Sequence, residues 1–528
     1  MRTTLLFIAF ILASICQAQD SLIVKYSKTI TGSDLEKHLK IIASDEYQGR
    51  ETGDKGLEMA AKYVTNGFQG DKLNGPVQNS ENTYYQEFEL EKKNWSKIEI
   101  AAGKEKFESF KDIAFIELSE GTNEFDVVFA GYGIYSDKYN EYKNIDVKGK
   151  IVAMILGEPK NKNGIYLTTG TTEPKTKIDT TINGKFGEAT QAKIMASMMR
   201  GAKGLIFIED NDKEAIRTIN KLKEYMGGSQ VSFPGQKEIM KDFYAGYMSP
   251  TQAARLFGTN KKKYDKILSD SINKGVSPSG KWTQKLKIEA VRKIETIKSG
   301  NVLGFIEGTD KKEEIVVLCA HYDHIGIKDG VVYNGADDNG SGTVALLELA
   351  EAFSIAKANG NGPRRSILFI ALTGEEKGLL GSKYYAKNPI FQMSNTVTAL
   401  NIDMIGRIDD RHSTDNSYIY LIGSDYKSTE LHALSEECAK TYSPELKIDY
   451  KYNDKNDPER LYYRSDQISF AEKGVPVIFY TDGEHPDYHK PTDDVDKIDF
   501  KIMEKRVQLI FATTWQLANR DERVKVDK

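Results

Sequence analysis

Cysteine is almost missing from this chain: three residues in 528, at positions 16, 319 and 438. That count excludes a disulfide-stapled scaffold, and Cys319, inside the apolar run Ile315–Ala320, reads as a small buried hydrophobe. Charge of one sign is missing too. Lys and Arg number 73 against 77 Asp and Glu, so no global field recruits nucleic acid or an anionic membrane surface. Internal repeats and low-complexity tracts are absent, and no apolar run reaches the roughly 20 residues of a membrane-spanning helix. What remains is the balance of a soluble globular protein, 39% hydrophobic and 28% charged. The length suggests two or three domains. Function must come from a local site.

The N-terminus has its own texture. Arg2 precedes an apolar run, Leu5 to Ile15, and Cys16-Gln17-Ala18 places a small residue before Gln19. Residues 1–18 are therefore expected to be a cleaved signal peptide, which makes the mature protein secreted or periplasmic with no integral membrane segment. Anchoring as a lipoprotein through Cys16 is disfavoured, because bulky Ile15 stands where such signals carry a small residue.

Ser33-Asp34-Leu35-Glu36 reads as a capping box, with Leu35, Leu39 and Ile42 at helical spacing behind it. Gly49-Arg50-Glu51-Thr52-Gly53 breaks that helix, and Leu57 to Val64 starts another. From about Gly121 only short elements follow: strands at 126–132, 150–156 and 205–208, a helix at 194–199, and polar stretches at 160–190 and 210–240 that read as loops. This part has no convergent His or carboxylate cluster and reads as an insertion. From Asn301 onward, apolar strands alternate with helical segments, the pattern of an α/β fold with a mostly parallel central sheet flanked by helices. Ile315–Ala320, Ser366–Leu372, Val397–Ile402 and Val475–Tyr480 suit strands buried on both faces. Helical spacing runs over Thr343–Ala356 and Leu379–Ala386.

Each of those strands leads into residues that bind metals. Ile315–Ala320 runs into His321-Tyr322-Asp323-His324, Ser366–Leu372 into Thr373-Gly374-Glu375-Glu376, Val397–Ile402 into Asp403, and Val475–Tyr480 into a loop with His485, Tyr488 and His489. Asp337-Asp338-Asn339 lies between, just before a helix. In open α/β sheets the ligand crevice lies at the carboxyl ends of the strands. Imidazole and carboxylate without thiolate suit zinc. Two histidines and three carboxylates exceed one tetrahedral zinc with an open position; they fit two zinc ions sharing a bridging carboxylate. Any single piece is ordinary: paired glutamates are usually a solvated surface and Asp-Asp-Asn-Gly is usually a turn. Their succession at strand ends is not.

These motifs, HYDHIG at 321–326, GADDNGSG at 335–342, TGEEKGLLGS at 373–382, NIDMIGR at 401–407 and DYHKPTDD at 487–494, resemble those of the co-catalytic di-zinc aminopeptidase family that also includes glutamate carboxypeptidase II and the transferrin receptor. The segment 28–118, with GRETG at 49–53, resembles the first part of the same catalytic domain. Residues 130–159 and 201–208 more loosely resemble a protease-associated domain. The expected division is a catalytic domain over 28–118 and 296–522, with a smaller β-rich protease-associated domain inserted over 119–295.

The resemblance implies residue roles. His321 and Asp403 hold one zinc, Glu376 and His489 the other, and Asp338 bridges them, with a cis Asp338–Asn339 peptide. Asp323 accepts the second N–H of His321. Glu375 is the general base for a metal-activated water, and Tyr488 hydrogen-bonds the oxyanion. Asp338 rather than Asp337 is the bridge because it directly precedes Asn-Gly-Ser-Gly. His324 and His485 are expected to be local hydrogen-bonders, and Arg407 either orients substrate or braces Asp403. The implied activity is removal of N-terminal residues from peptides. A carboxypeptidase or a glutaminyl cyclase on the same site, or an inert binding protein of the same fold, are the alternatives; the inert form is disfavoured because all five ligands and Glu375 are present.

Overall fold

The computed structural model describes residues 21–136, 139–173, 188–226, 228–236 and 243–528. The expected signal peptide and Cys16 lie outside them. Two compact units emerge, one formed by residues up to Leu90 together with Ile297–Lys528, the other by Glu91–Thr296. Among the described residues, no helix is long and apolar enough to cross a membrane.

The first unit is built on a sheet whose central strands, Val477–Thr481, Thr396–Ile402, Lys311–His321 and Arg365–Leu372, are mutually parallel neighbours in that order. Residues 302–306 add an antiparallel strand beside Arg365–Leu372. Tyr418–Ile422, antiparallel to Val477–Thr481, carries Lys447–Asp449 at the other edge. Every residue of Arg365–Leu372 and Thr396–Ile402 is buried, which is why these strands read as continuous apolar runs rather than alternating ones. Helices Gly342–Ala358 and Phe500–Asn519 cover one face with Val344, Leu347, Phe353, Met503 and Ile510. The expected helix from Ser33 is present as Gly32–Ile42, but its cap is Thr31, whose Oγ1 accepts from the Asp34 N–H at 3.2 Å. Asp34 returns the contact by accepting from that hydroxyl, so the reciprocal pair sits two residues earlier than the sequence pattern placed it.

Gly342–Ala358 carries one charge inward. Glu348 is 1% exposed, and neither carboxylate oxygen receives a hydrogen bond. His38 lies 3.6 Å away, its other ring nitrogen held by the Tyr63 hydroxyl at 2.7 Å. Burial, reinforced by Glu351, Asp34 and Asp71, pushes the Glu348 carboxyl up to about 8. An acid whose pKa rises on folding binds more protons folded than unfolded, so stability falls as pH climbs from about 4.5 to about 8, at up to about 1.4 kcal/mol per unit. Glu348→Gln is expected to flatten this slope and to raise the melting temperature most at pH 8. A variant whose melting curve tracks the parent at every pH would show that this carboxyl does not titrate there.

The second unit has its own core. Strands Gly121–Phe129, Ile151–Ile155, Gly204–Ile208 and Tyr244–Met248 run parallel in that order, and Phe129, Phe257, Tyr264 and Trp282 stack and tilt against one another. The sequence reading put the first domain boundary at 118/119, whereas the units part at 90/91. The reason is pairing: Ile113–Glu117 lies antiparallel to Tyr244–Met248, and Ile100, Phe107, Ile113, Phe115 and Leu118 all enter the second core. The stretch 210–240, expected to be loop, contains the helix Asp212–Met226 and the short strand Gln230–Ser232. Among the described side chains of that helix, only Ala215, Thr218 and Ile219 are buried. A stripe this narrow is easily lost among its lysines and glutamates.

Candidate metal centre

The four parallel strands deliver their last residues to one edge of the sheet. His321 ends Lys311–His321, Glu375 and Glu376 follow Arg365–Leu372, Asp403 follows Thr396–Ile402, and His489 stands on the loop after Val477–Thr481. Asp338 comes from the irregular turn Ala336–Ser341 that opens the central helix, and its peptide bond to Asn339 is cis.

All five expected ligands meet. His321 Nε2 lies 3.4 Å from Asp338 Oδ1 and 3.3 Å from Asp403 Oδ1. His489 Nε2 lies 3.1 Å from both Asp338 Oδ2 and Glu376 Oε2. Two groups of potential ligands thus share Asp338, one with His321 and Asp403, the other with His324 and Glu376, beside which His489 stands. Glu375 Oε2 approaches His321 Nε2 to 4.0 Å. Tyr488, stacked on His489 with ring centroids 3.9 Å apart, lines a small cleft together with Asp338, Glu375 and Asp403.

The electrostatics call for cations. Four carboxylates crowd three histidines, with Asp338 Oδ2 3.1 Å from His489 and Glu376 Oε1 2.8 Å from His324. Burial alone would lower the His489 pKa, yet Glu376 and Asp338 raise it to about 11. Burial pushes the Glu375 carboxyl well above its ordinary range; His321 opposes this, while Asp403 and Glu376 add to it. More buried carboxylates than histidines can neutralise are costly unless further cations meet them. The donor set, imidazole and carboxylate, fits zinc.

A polar frame fixes each group. Asn339 ties the Asp338 turn to the Asp403 turn: its Nδ2 donates to the Ile402 carbonyl at 2.8 Å, and its Oδ1 accepts from Gly342 and Met404 N–H groups. Asp493 accepts the N–H groups of Asp337 and Asp338 at 3.0–3.1 Å. Ser465 donates to Asp403 Oδ2 at 2.6 Å and is itself held by Asn401. Asp337 points away from the centre, to the Gly406 N–H at 2.7 Å and His485 Nε2 at 3.2 Å. Of Asp337 and Asp338, only Asp338 therefore faces both histidines. Arg407 braces the His489 loop through Asp487 at 3.0 Å.

Two expectations change. The second ring nitrogen of His321 meets the backbone carbonyl of Asp323 at 3.1 Å, while the Asp323 carboxylate stands 3.8 Å off. That carboxylate instead accepts from the Glu375 and Glu376 N–H groups, at 3.1 and 3.4 Å, and from the Thr52 hydroxyl at 3.1 Å. Asp323 shapes the glutamate turn rather than the imidazole. His324 joins the centre: its Nδ1 faces Glu376 Oε1 at 2.8 Å and Asp338 Oδ2 at 3.8 Å, so it is a potential ligand beside them. Its ring packs so tightly on Gly335 that a Cβ there would fall 2.4 Å from it. Ser465, Asp493, Arg50 and Thr52 were missed as site residues, although the last three lie in quoted motifs; what they do is visible only in the tertiary contacts.

Residues 301–514 match the model of peptidase family M28. A probable leucine aminopeptidase of Arthroderma otae is 32% identical over 216 residues, 39% of this chain and 55% of that protein. Aminopeptidase YwaD of Bacillus subtilis is 25% identical over 238 residues, 44% of this chain and 47% of that protein. The chain thus spans about half the length of the curated relatives it matches. In fold it is similar to an aminopeptidase from Aneurinibacillus sp. strain AM-1, with a TM-score of 0.59 at 18% identity covering 96% of this chain and 98% of that one. It is also similar to a zinc aminopeptidase from Bacillus subtilis, with a TM-score of 0.53 at 16% identity covering 94% and 98%. Over residues 301–514 the chain is similar to peptidase family M28.

Proposed function

We propose that this protein is an exported two-zinc aminopeptidase. The observation that carries the reading is the sharing of Asp338 between two ligand groups, with Glu375 beside them. His321 and Asp403 would hold one zinc, Glu376 and His489 the other, with Asp338 common to both. When bound, the metals supply Lewis-acid charge that polarises the scissile carbonyl and acidifies the attacking water. Glu375, raised in basicity by its burial among carboxylates, takes the water's proton and hands it to the departing amine. Tyr488, in the cleft beside Asp338 and Glu375, donates to the oxyanion as it forms. Ser465 and Asp323 keep Asp403 and the glutamate turn in place. Residues 91–296 are read as the protease-associated domain on the motifs at 130–159 and 201–208, and export rests on the apolar leader at 5–15.

A carboxypeptidase needs free cationic groups for the substrate's terminal carboxylate. Arg464 does line the cleft, but it is paired with Glu484 at 2.6 Å; Arg407 is paired with Asp487. Free peptides and their N-acetylated forms, with products read by mass spectrometry, test the reading. Single residues should leave from free N-termini, blocked peptides should survive, and a strong chelator should abolish turnover that zinc restores. Release of C-terminal residues, or undiminished turnover after metal is stripped, would refute it.

A further inference from the structure

The metal-binding motifs all lie after residue 320, yet a buried side chain that ties several of their loops together comes from residue 50. Arg50 is fully buried and bonds to no carboxylate. Its guanidinium donates to four backbone carbonyls, those of Ile42 at 2.8 Å, Tyr322 at 3.0 Å, Asn334 at 2.7 Å and Gly335 at 2.9 Å. Its own carbonyl accepts the His324 N–H at 3.1 Å. Glu51 pairs with Lys377 at 2.8 Å, and buried Thr52 donates to the Asp323 carboxylate that holds the Glu375 and Glu376 N–H groups. Three successive residues thus reach three separate loops: the one after His321, the one before Asp338, and the one carrying both glutamates.

The backbone is shaped for this. Gly49 has φ 66°, and a Cβ there would stand 2.3 Å from the Tyr333 carbonyl oxygen and 2.6 Å from that of Gly326. Gly53 closes the segment at φ 86°. A planar fork of donors suits several carbonyls held at fixed angles, which a lysine cannot match. Buried carbonyls left without donors would be destabilising. The arrangement is therefore unlike a solvated turn that happens to pass nearby.

The geometry points to Arg50-Glu51-Thr52 as a positioning clamp that sets the spacing of the loops carrying the two metal subsites, and with it the placement of Glu375. The inference rests on the two-metal reading and extends it to a segment outside residues 301–514. None of the three is among the potential metal ligands; they act through Asp323 and through the carbonyls beside His321 and Asp338.

The test uses the full-length protein loaded with cobalt(II) in place of zinc, whose visible absorption reports ligand geometry whether or not a peptide is cleaved. Thr52→Val keeps the volume and removes the donor; Thr52→Ser keeps the donor. The valine variant should fold, show an altered cobalt spectrum and lose about 10–100-fold in kcat with KM little changed, the range typical of outer partners of metal ligands. The serine variant should return both toward the parent. Arg50→Lys should weaken cobalt binding in chelator competition by a similar factor. A Thr52→Val protein with the parent's spectrum and kcat overturns the clamp, as does a serine variant that restores nothing. If the parent binds two cobalt ions but cleaves no peptide, the proposed activity fails while the spectra still decide the clamp.

Discussion

Replacing Glu375 by glutamine is expected to lower kcat by about 10²–10⁴-fold or more, because general-base catalysis alone is worth that much and the same group must also protonate the leaving amine. Zinc content should stay near that of the parent, since the two ligand groups that share Asp338 do not include Glu375. Its neighbour should behave differently. Glu376 stands 3.1 Å from His489 Nε2 and 2.8 Å from His324 Nδ1, and Glu376→Gln exchanges an anionic ligand for a neutral amide, so metal affinity should drop. Zinc stoichiometry measured beside kcat for both variants decides the roles. Loss of zinc in Glu375→Gln with retention in Glu376→Gln would reverse them.

The second large effect should come from the shared carboxylate. Asp338 faces His321 through one oxygen and His489 through the other, so Asp338→Asn should weaken both subsites together. The loss in metal affinity should exceed the roughly 10–100-fold typical of an outer partner, and activity should vanish at ordinary zinc concentrations. Asp337→Asn is the control. Its carboxylate holds the Gly406 N–H and His485, so that variant should lower the melting temperature while keeping its metal. Metal titration followed by calorimetry reads both. An Asp337 variant that empties the site while Asp338→Asn stays loaded would shift the bridge by one residue.

Much of this centre was legible in the sequence because parallel strands buried on both faces write themselves as apolar runs, and each such run ends where its ligand begins. Ile315–Ala320 before His321 and Val397–Ile402 before Asp403 are the clearest cases. The frame was harder to see. Asp323 was expected to orient His321 through its carboxylate, but that oxygen serves the glutamate turn, and sequence spacing does not tell backbone from side-chain acceptors. Thr31 outranked Ser33 as a helix cap because caps are decided by φ and ψ, here −125° and 147°, which a motif of hydroxyl and carboxylate does not specify. The boundary at 118/119 failed for another reason: the pairing of Ile113–Glu117 with Tyr244–Met248 joins residues about 130 positions apart, a non-local contact that no local change of texture announces.

The helix at Gly32–Ile42 does not wait on its neighbours in sequence. The Gly32 N–H donates to Glu504, 472 residues away, Gln508 donates to the Ile30 carbonyl, and Tyr26 stacks on Trp515. Contacts of such separation are slow to form, since a long loop must close before any of them is gained. During synthesis, at about 5–20 residues per second, the early helix would emerge well before its partner helix exists. For tens of seconds Leu35, Leu39 and Ile42 have no complete surface to pack on, and the nascent chain is then most open to aggregation or to capture by a chaperone. The long reach that locks the finished fold together is thus also what makes its biogenesis depend on time.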